Sequence, residues 1–231
     1  YIFDKFKNKL NGDLIQINLN GSAGQSLGAF LSKSISLKIF GDANDYVAKG
    51  LSGGKIVVIP SKTNRLKTKE NTIIGNTVLY GATSGTLFAA GKAGERFAVR
   101  NSGGNAIVEG CDSNGCEYMT GGNIVILGSI GDNFGAGMTG GMAFIYDPEN
   151  TFENFVNPAS VTWQKPETKY WKEKLKSLIQ DHLKETNSAI AKEILDDFEN
   201  KINNFKQVCP VEMLDKLENP ITLKGSISKA V

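Results

Sequence analysis

The chain contains few residues of the kinds that perform chemistry. Its one histidine, His182, follows Asp181 in a segment with helical periodicity. A histidine can serve as a general base or a metal ligand. A metal site would need companion ligands, and the neighbouring positions lack them. We therefore expect His182 to have a structural or solvated role.

The three cysteines are the next candidates. Four residues separate Cys111 from Cys116, and Cys209 is remote from both. Zinc or iron–sulfur ligation would need a fuller and more closely spaced set of ligands. An odd number of cysteines also makes no disulfide framework. We expect free thiols and a reducing compartment, the cytoplasm.

Seven residues before the Ser/Thr of each repeat unit lies a polar column of Asp45, Thr77, Glu95, Ser113 and Asp132, of which Asp45, Glu95 and Asp132 are acidic. Paired carboxylates of this kind would suit a glycosidase or lyase built on a β-helix. Acidic residues beside turn glycines more commonly accept hydrogen bonds from backbone N–H groups. We expect the turn role for this column.

Two further patterns have simple structural interpretations. A basic run favours a solvated loop, with partner docking as the alternative; it contains Lys62, Arg65, Lys67 and Lys69. The glycines of "GSAGQSLG" (Gly21, Gly24 and Gly28) and of "GDNFGAG" resemble phosphate-binding loops. Neither has the strand–GxGxxG–helix setting of a dinucleotide site or the lysine of a P-loop. We expect turn geometry and no cofactor on this chain.

Composition restricts the class of protein. The 231 residues include 26 Lys and Arg against 24 Asp and Glu, and 40% of them are hydrophobic. This near-neutral balance argues against a nucleic-acid binder. No apolar run is long enough to span a bilayer, and no segment resembles a signal peptide. The length suits one globular domain with a smaller appendage.

An internal repeat positions all of these residues. A Ser/Thr-Gly unit followed by a β-rich run begins at Ser52, Ser84, Ser102, Thr120 and Thr139. Successive units from Ser84 onward are 18, 18 and 19 residues apart, and the longer first gap contains an insertion. Eighteen residues before Ser52, Ser34 precedes another such run. Six copies therefore extend over residues 34–147.

The repeat predicts an all-β fold. When the copies are aligned on their Ser/Thr residues, apolar residues hold the same places, and one such column consists of Ile39, Val57, Ala89, Ile107, Val125 and Phe144. A unit this short buries its apolar face only by stacking on its neighbours. We predict a single-stranded parallel β-helix of about six coils, right-handed as parallel crossovers nearly always are. Nine glycines would form its turns: Gly53, Gly54, Gly85, Gly103, Gly104, Gly121, Gly122, Gly140 and Gly141.

The flanking segments complete the predicted organisation. Residues 1–33 read as a strand, a glycine turn and a cap over the first coil. Residues 148–231 read as a linker and an amphipathic helical tail. One helix would bury Trp171 and Leu175, a second, capped by Asn187 or Ser188, would extend to Phe205, and Pro210 would open a short turn. We expect these helices to pack on the outside or on the last coil of the β-helix, with a partner subunit as the alternative.

The motif runs identify a resemblance. The segments "GSAGQSLGAFL", "GDANDYVAKGLSGGKIVV", "IGNTVLYGATSG", "AGERFAVRNSGG", "GCEYMTGGNIVILG" and "NFGAGMTGGMAFIYD" occur in order and cover most of the chain. They resemble the C-terminal glycine-repeat (GXGXG) β-helix domain of the glutamate synthase large subunit. Two positions depart from the family pattern. Ala48 replaces a usual glycine, and Asn114 stands where histidine is common, which would remove a hydrogen-bonding group.

The resemblance implies an oxidoreductase acting on CH–NH2 donors, which releases ammonia from glutamine and makes glutamate from 2-oxoglutarate. It places the catalytic cysteine, the FMN and the 3Fe–4S cluster in other domains, so no catalytic, cofactor or metal residue carries over to this chain. The implied role is a scaffold between the glutamine amidotransferase domain and the FMN-binding synthase domain. A small reductase subunit is a further implied partner, and neither nucleic acid nor membrane is expected.

Two other classes fit parts of the pattern. A non-catalytic scaffold of the kind found in formylmethanofuran dehydrogenase shares the glycine-repeat coil but lacks the amphipathic tail. A carbohydrate-acting β-helix enzyme would show a signal peptide and charged residues clustered on one strand face. A hexapeptide acyltransferase is excluded, because the 18–19-residue spacing has no six-residue subrepeat.

Overall fold

Parallel strands stacked one above the next form the body of the molecule. The computed structural model describes residues 15–61 and 67–222. One row of seven longer strands and a second row of three short ones are joined through the second long strand. Successive long strands pair in parallel. The predicted all-β parallel β-helix is confirmed.

The strands divide between the two rows as follows. The long row consists of β1 (Ile15–Ala23), β2 (Ile35–Ala43), β3 (Ser52–Ile59), β5 (Ser84–Ala89), β7 (Asn105–Val108), β9 (Thr120–Ile126) and β10 (Gly140–Tyr146). The short row consists of β4 (Thr72–Ile74), β6 (Lys92–Ala93) and β8 (Gly110–Cys111).

The first coil was not predicted. β1 pairs with β2 in register over nine residues, from Ile15 with Ile35 to Ala23 with Ala43. The described part therefore contains seven coils instead of about six, and residues 15–33 form a coil instead of a cap. The repeat was located by its Ser/Thr-Gly unit, which does not precede β1. Residues 1–14 of the predicted cap lie outside the described residues.

Side chains alternate between the inside and the outside of the coil, as strand geometry requires. One outward column consists of Lys38, Val57, Phe88, Ile107, Val125 and Phe144. The sequence alignment placed Ile39 and Ala89 in this column, each one residue too far along. For the latter, the cause is a register shift in the β3–β5 pair between Ser52 and Lys55. The unit at Ser84 has one glycine where that at Ser52 has two.

A left-handed corner follows each of the first six coils. In it three alternate residues adopt φ near +60°, for example Tyr46, Ala48 and Gly50. Thirteen of these eighteen positions carry residues other than glycine. The alternation sends successive N–H groups up and down the stack: Ala48 donates to Leu27, whereas Tyr46 and Gly50 donate to the following coil.

The nine predicted turn glycines lie at or just before the starts of long strands, after the left-handed corners. Four of them have positive φ: Gly53, Gly85, Gly122 and Gly141. Gly121 does not have a positive φ. It is required for another reason, because an added Cβ would lie 2.5 Å from the Ser102 carbonyl oxygen.

Three helices cover the outer face of the long row. They are α1 (Lys169–Thr186), α2 (Ala189–Asp196) and α3 (Phe198–Lys201). Trp171, Leu175 and Ile179 of α1 join Val57 and Val125 in an outer hydrophobic layer, separate from the interior of the coil. The predicted packing on the outside of the β-helix is therefore confirmed. None of the described helices is both long and apolar enough to cross a lipid bilayer.

The tail also contains strands that were not predicted. β11 (Val161–Gln164) and β12 (Phe205–Pro210) pair antiparallel, and β12 adds antiparallel to β10. Phe205 thus belongs to a strand instead of the second helix. Ser188 does cap α2, accepting from the Ala191 N–H, and the turn after Pro210 is a 3-10 helix. β12 therefore covers the edge of β10 at the end of the stack.

The buried outward column predicts the effect of a charge there. Val125→Asp should unfold the domain or cost several kcal/mol of a total stability near ~10 kcal/mol, because Val125 is fully buried beneath the helical layer. Asp132→Asn, at an exposed corner, should be tolerated. Thermal melting of the two variants is the measurement. Equal melting temperatures would contradict the column assignment.

The close approach at Gly121 gives a second prediction. Gly121→Ala should lower the free energy of unfolding by about 1–3 kcal/mol, because the methyl group would press on the preceding coil. Gly24→Ala is the matched control, since nothing lies within 4 Å of a Cβ at that position. Urea unfolding would compare both with the parent chain. A Gly121→Ala curve that overlays the control would refute the steric explanation.

Candidate functional site

His182 is buried in the outer layer instead of facing solvent. Its ring lies 6.0 Å from that of Phe88, and the structure shows no hydrogen-bond partner for either ring nitrogen among the described residues. Burial lowers the pKa of His182 from 6.5 to about 3. The ring is therefore neutral at physiological pH and acts as a packing residue, in agreement with the expected structural role.

The three cysteines are free and buried, as predicted for their redox state. Cys111 and Cys116 belong to the interior of the coil, whereas Cys209 belongs to the outer layer. Burial raises the pKa of Cys111 to about 12, that of Cys209 to about 11, and that of Cys116 above its usual value. Since the thiolate is the reactive form, these thiols are poorly suited to act as nucleophiles.

Side chains of the polar column accept hydrogen bonds from backbone N–H groups of the next coil. The Asp45 carboxylate accepts a hydrogen bond of 2.8 Å from the Asn76 N–H. The Asn76 side chain in turn accepts 2.8 Å from the Glu95 N–H. Asn76 therefore holds the place in the column that the sequence alignment assigned to Thr77. The expected turn role is confirmed for Asp45.

The basic insertion is described only in part. Lys62 and Arg65 lie outside the described residues. Lys67 is exposed and pairs with Glu70 at 3.4 Å, within the solvated loop that was expected. The glycine segments also lie within coils: Gly21 pairs with Gly41 within the β1–β2 register, and Gly28 is the middle residue of the first left-handed corner.

Asn114 differs from its expectation. It adopts a φ of 62° at the first position of its left-handed corner. Its side-chain oxygen accepts a hydrogen bond of 2.9 Å from the side-chain amide of Asn133. Asn133 in turn accepts 2.8 Å from Asn157. Asn114 thus supplies a hydrogen-bonding group to a ladder along the stack. The other departure, Ala48, is buried at φ 60°.

Sequence reasoning missed a buried carboxylate. Glu109 is fully buried, and its carboxylate accepts a hydrogen bond of 2.5 Å from the Ser188 hydroxyl. The same hydroxyl caps α2 by accepting from the Ala191 N–H. Burial raises the pKa of Glu109 above its usual value, while the Ser188 hydrogen bond opposes that shift. This contact joins the coil to the helical layer. The two residues lie 79 positions apart, so no local pattern reveals them.

A cleft of about 530 Å³ lies beside the end of the stack, lined in part by Lys69, Tyr146, Phe152 and Ile190. Its buried carboxylate, Asp147, accepts hydrogen bonds from the N–H groups of Thr151 and Phe152. That carboxylate therefore fixes the loop after β10. No group of three or more potential metal ligands occurs among residues 15–61 and 67–222.

The left-handed corners distinguish this coil from a β-helix with ordinary turns. A profile of the family described as the GXGXG motif matches residues 2–211. The chain belongs to the GXGXG family. The resemblance predicted from the motif runs is confirmed by this match and by the relatives.

Curated relatives are glutamate synthases. The NADPH glutamate synthase large chain of Azospirillum brasilense is 59% identical over 93% of this chain. The NADH glutamate synthase of Schizosaccharomyces pombe is 49% identical over 92% of it, and the ferredoxin-dependent glutamate synthase of Antithamnion sp. is 50% identical over 88%. The matched regions span 14%, 10% and 13% of those proteins. The names of these three relatives specify different electron donors (NADPH, NADH and ferredoxin), although all three are similar to this chain over the matched region.

The buried histidine gives a prediction with a defined sign. A pKa of about 3 in the folded state, against 6.5 when unfolded, contributes stability above pH 6.5 that is lost as pH falls toward 3. The loss amounts to roughly 2 kcal/mol at pH 5, since each pH unit below 6.5 costs about 1.4 kcal/mol. His182→Leu should remove this loss. The free energy of unfolding of the variant, relative to that of the parent chain, should therefore rise by about 2 kcal/mol as the pH falls from 7.5 to 5. Urea unfolding at both pH values measures it, and an advantage independent of pH would show that His182 does not titrate in this way.

Proposed function

We propose that this chain is the β-helix part of a glutamate synthase and holds the catalytic parts of that enzyme in register. The reaction of the whole enzyme would release ammonia from glutamine and combine it reductively with 2-oxoglutarate to form glutamate. The partners would be a glutamine amidotransferase domain, an FMN-binding synthase domain and a small reductase subunit, in the cytoplasm.

The relatives are the observation that carries this proposal. Three glutamate synthases match about nine-tenths of the chain at 49–59% identity. Identity at this level extends over the coil and most of the helical tail, so the two parts occur together in each relative. Because the matched region is only 10–14% of each relative, most of such an enzyme lies in other parts of the polypeptide.

The architecture suits a spacer. Seven coils separated by the β-strand spacing of about 4.8 Å give a stack about 29 Å long. Polar contacts join the outer helical layer to more than one coil of the stack. Lys38 on β2 donates a hydrogen bond of 2.8 Å to the Glu185 carbonyl near the end of α1. Lys55 on β3 forms an ion pair with the Glu185 carboxylate at 3.0 Å. Such bracing would keep surfaces on different coils at fixed separations.

The cofactors of the proposed enzyme would belong to its other parts. A 3Fe–4S cluster needs cysteine thiolates that converge on one point. Here Cys111 and Cys116 lie inside the coil and Cys209 lies in the outer layer, so the three do not fit a shared cluster. The glycine segments that resembled phosphate loops are built into coils, which gives no support for an FMN site on them.

Reconstitution tests the proposal. The chain alone should be colourless and should make no glutamate from glutamine and 2-oxoglutarate. Mixed with the amidotransferase and flavin-containing portions of its own system, it should co-migrate with them on a sizing column. Glutamine-dependent glutamate formation should then rise, because ammonia transfer depends on domain placement.

The control for the reconstitution is the Val125→Asp chain, which should neither co-migrate nor raise the glutamate yield. Stoichiometric flavin on the isolated chain, or turnover by it, would refute the scaffold role. A wild-type chain that fails to associate would assign the coil to a different partner.

A further inference from the structure

A strip of aromatic and cationic side chains, each at least partly exposed, follows the left-handed corners along the stack. Its members, which we call the corner strip, are Phe30, Lys49, Tyr80, Arg100 and Tyr118. The three aromatic residues are 68%, 38% and 50% exposed in that order along the sequence. Hydrogen bonds between successive corners hold these positions on neighbouring coils, for example Phe30 N–H to Lys49 and Gly50 N–H to Tyr80.

Three members of the strip occupy backbone positions that favour glycine. Phe30, Arg100 and Tyr118 have φ of 57°, 51° and 53°. They are the third left-handed residue of their corners, where other coils have Gly50, Gly81 and Gly137. A bulky residue at positive φ is uncommon because its side chain crowds the backbone. Glycine would satisfy the same turn without that strain.

Several other left-handed residues are buried or form side-chain hydrogen bonds within the domain. Ala48 and Leu79, at middle corner positions, are fully buried in the core. Asn114 and Asn133 join the hydrogen-bonded ladder. Phe30 and Tyr118 instead expose half or more of their surface. Strained residues that gain little from their own domain are characteristic of functional positions.

Glycines in the adjacent coils make room for the exposed rings. A Cβ at Gly50 would lie 2.5 Å from Cδ1 of Phe30. A Cβ at Gly137 would lie 2.5 Å from Cε1 of Tyr118. The two rings therefore lie along the surface, over the next coil. This arrangement presents flat apolar faces, the form in which aromatic residues serve at protein interfaces.

The charge of the strip is positive. The Lys49 ammonium lies 5.6 Å from the Tyr46 ring centroid, and the Arg100 guanidinium lies 5.9 Å from that of Tyr118. Neither cation forms an ion pair with a carboxylate in the described part of the chain. The nearby Glu117 is paired with Arg96 at 2.8 Å. A complementary partner would therefore supply carboxylates.

We infer that the corner strip is the docking surface for an acidic protein surface on another part of the glutamate synthase polypeptide. This inference rests on the proposed function. The partner would place carboxylates against Lys49 and Arg100 and apolar groups against the rings of Phe30, Tyr80 and Tyr118. Since the matched region is only 10–14% of each relative, such a polypeptide has ample surface to supply these groups.

The test separates docking from stability. In Phe30→Gly/Tyr118→Gly the strained positions receive glycine, so the melting temperature should stay equal or rise. Affinity for the combined amidotransferase and flavin portions should fall about tenfold or more, because aromatic anchors dominate interfaces. Arg100→Glu should weaken binding to a similar extent by placing a carboxylate against carboxylates. Binding of labelled chain in titrations, with parallel thermal melts, gives both readouts.

Tyr170→Ala is the matched control, since Tyr170 is 46% exposed on α1, away from the strip. It should bind like the parent chain. If the parent chain binds and the strip variants bind equally well, the docking surface is refuted while the scaffold role stands. If the parent chain does not bind at all, both proposals fail.

Two further outcomes would overturn the assignment. A parallel loss of melting temperature and affinity in the glycine variant would make the strip structural. Self-association of the chain that the same variants abolish would make the occupant a second copy.

Discussion

Main-chain hydrogen bonds that run along the axis of the stack are the constraint on which the rest of this molecule depends. Each interior coil forms hydrogen bonds with the coils before and after it, at the corners as well as in the strands. Alternating left-handed residues allow this at the corners, as in the donation from Cys116 to the Phe97 carbonyl. Glycines such as Gly121 are then required wherever two coils approach most closely.

The parallel coil was predictable because a short unit repeats with apolar residues in fixed places. The exact register was not. The unit at Ser84 has one glycine instead of two, and the resulting shift moved Phe88 into the column that the alignment gave to Ala89. The end of the tail was wrong for a similar reason. Phe205 continues a helical spacing from Phe198 and Ile202, but it pairs with Tyr146 in a strand, and periodicity does not distinguish the two over so short a segment.

The candidate chemical groups were partly predictable from their isolation in the sequence. His182 and the cysteines lack companion ligands, and their burial agrees with a packing role. The Glu109–Ser188 contact was not predictable, because only the folding of the tail onto the coil brings these residues together. The left-handed corners were also missed. Only five of their eighteen positions are glycine, so composition gives little sign of the conformation.

More residues separate β3 from β4 than separate β5 from β6 or β7 from β8, yet β3 and β5 pair in parallel. Width and height are therefore independent variables in this architecture. Residues inserted at a bend widen a single coil, whereas duplication of a whole repeat would lengthen the stack by about 4.8 Å. A lineage could then adjust the distance between two attached bodies in discrete steps while leaving every existing contact surface intact.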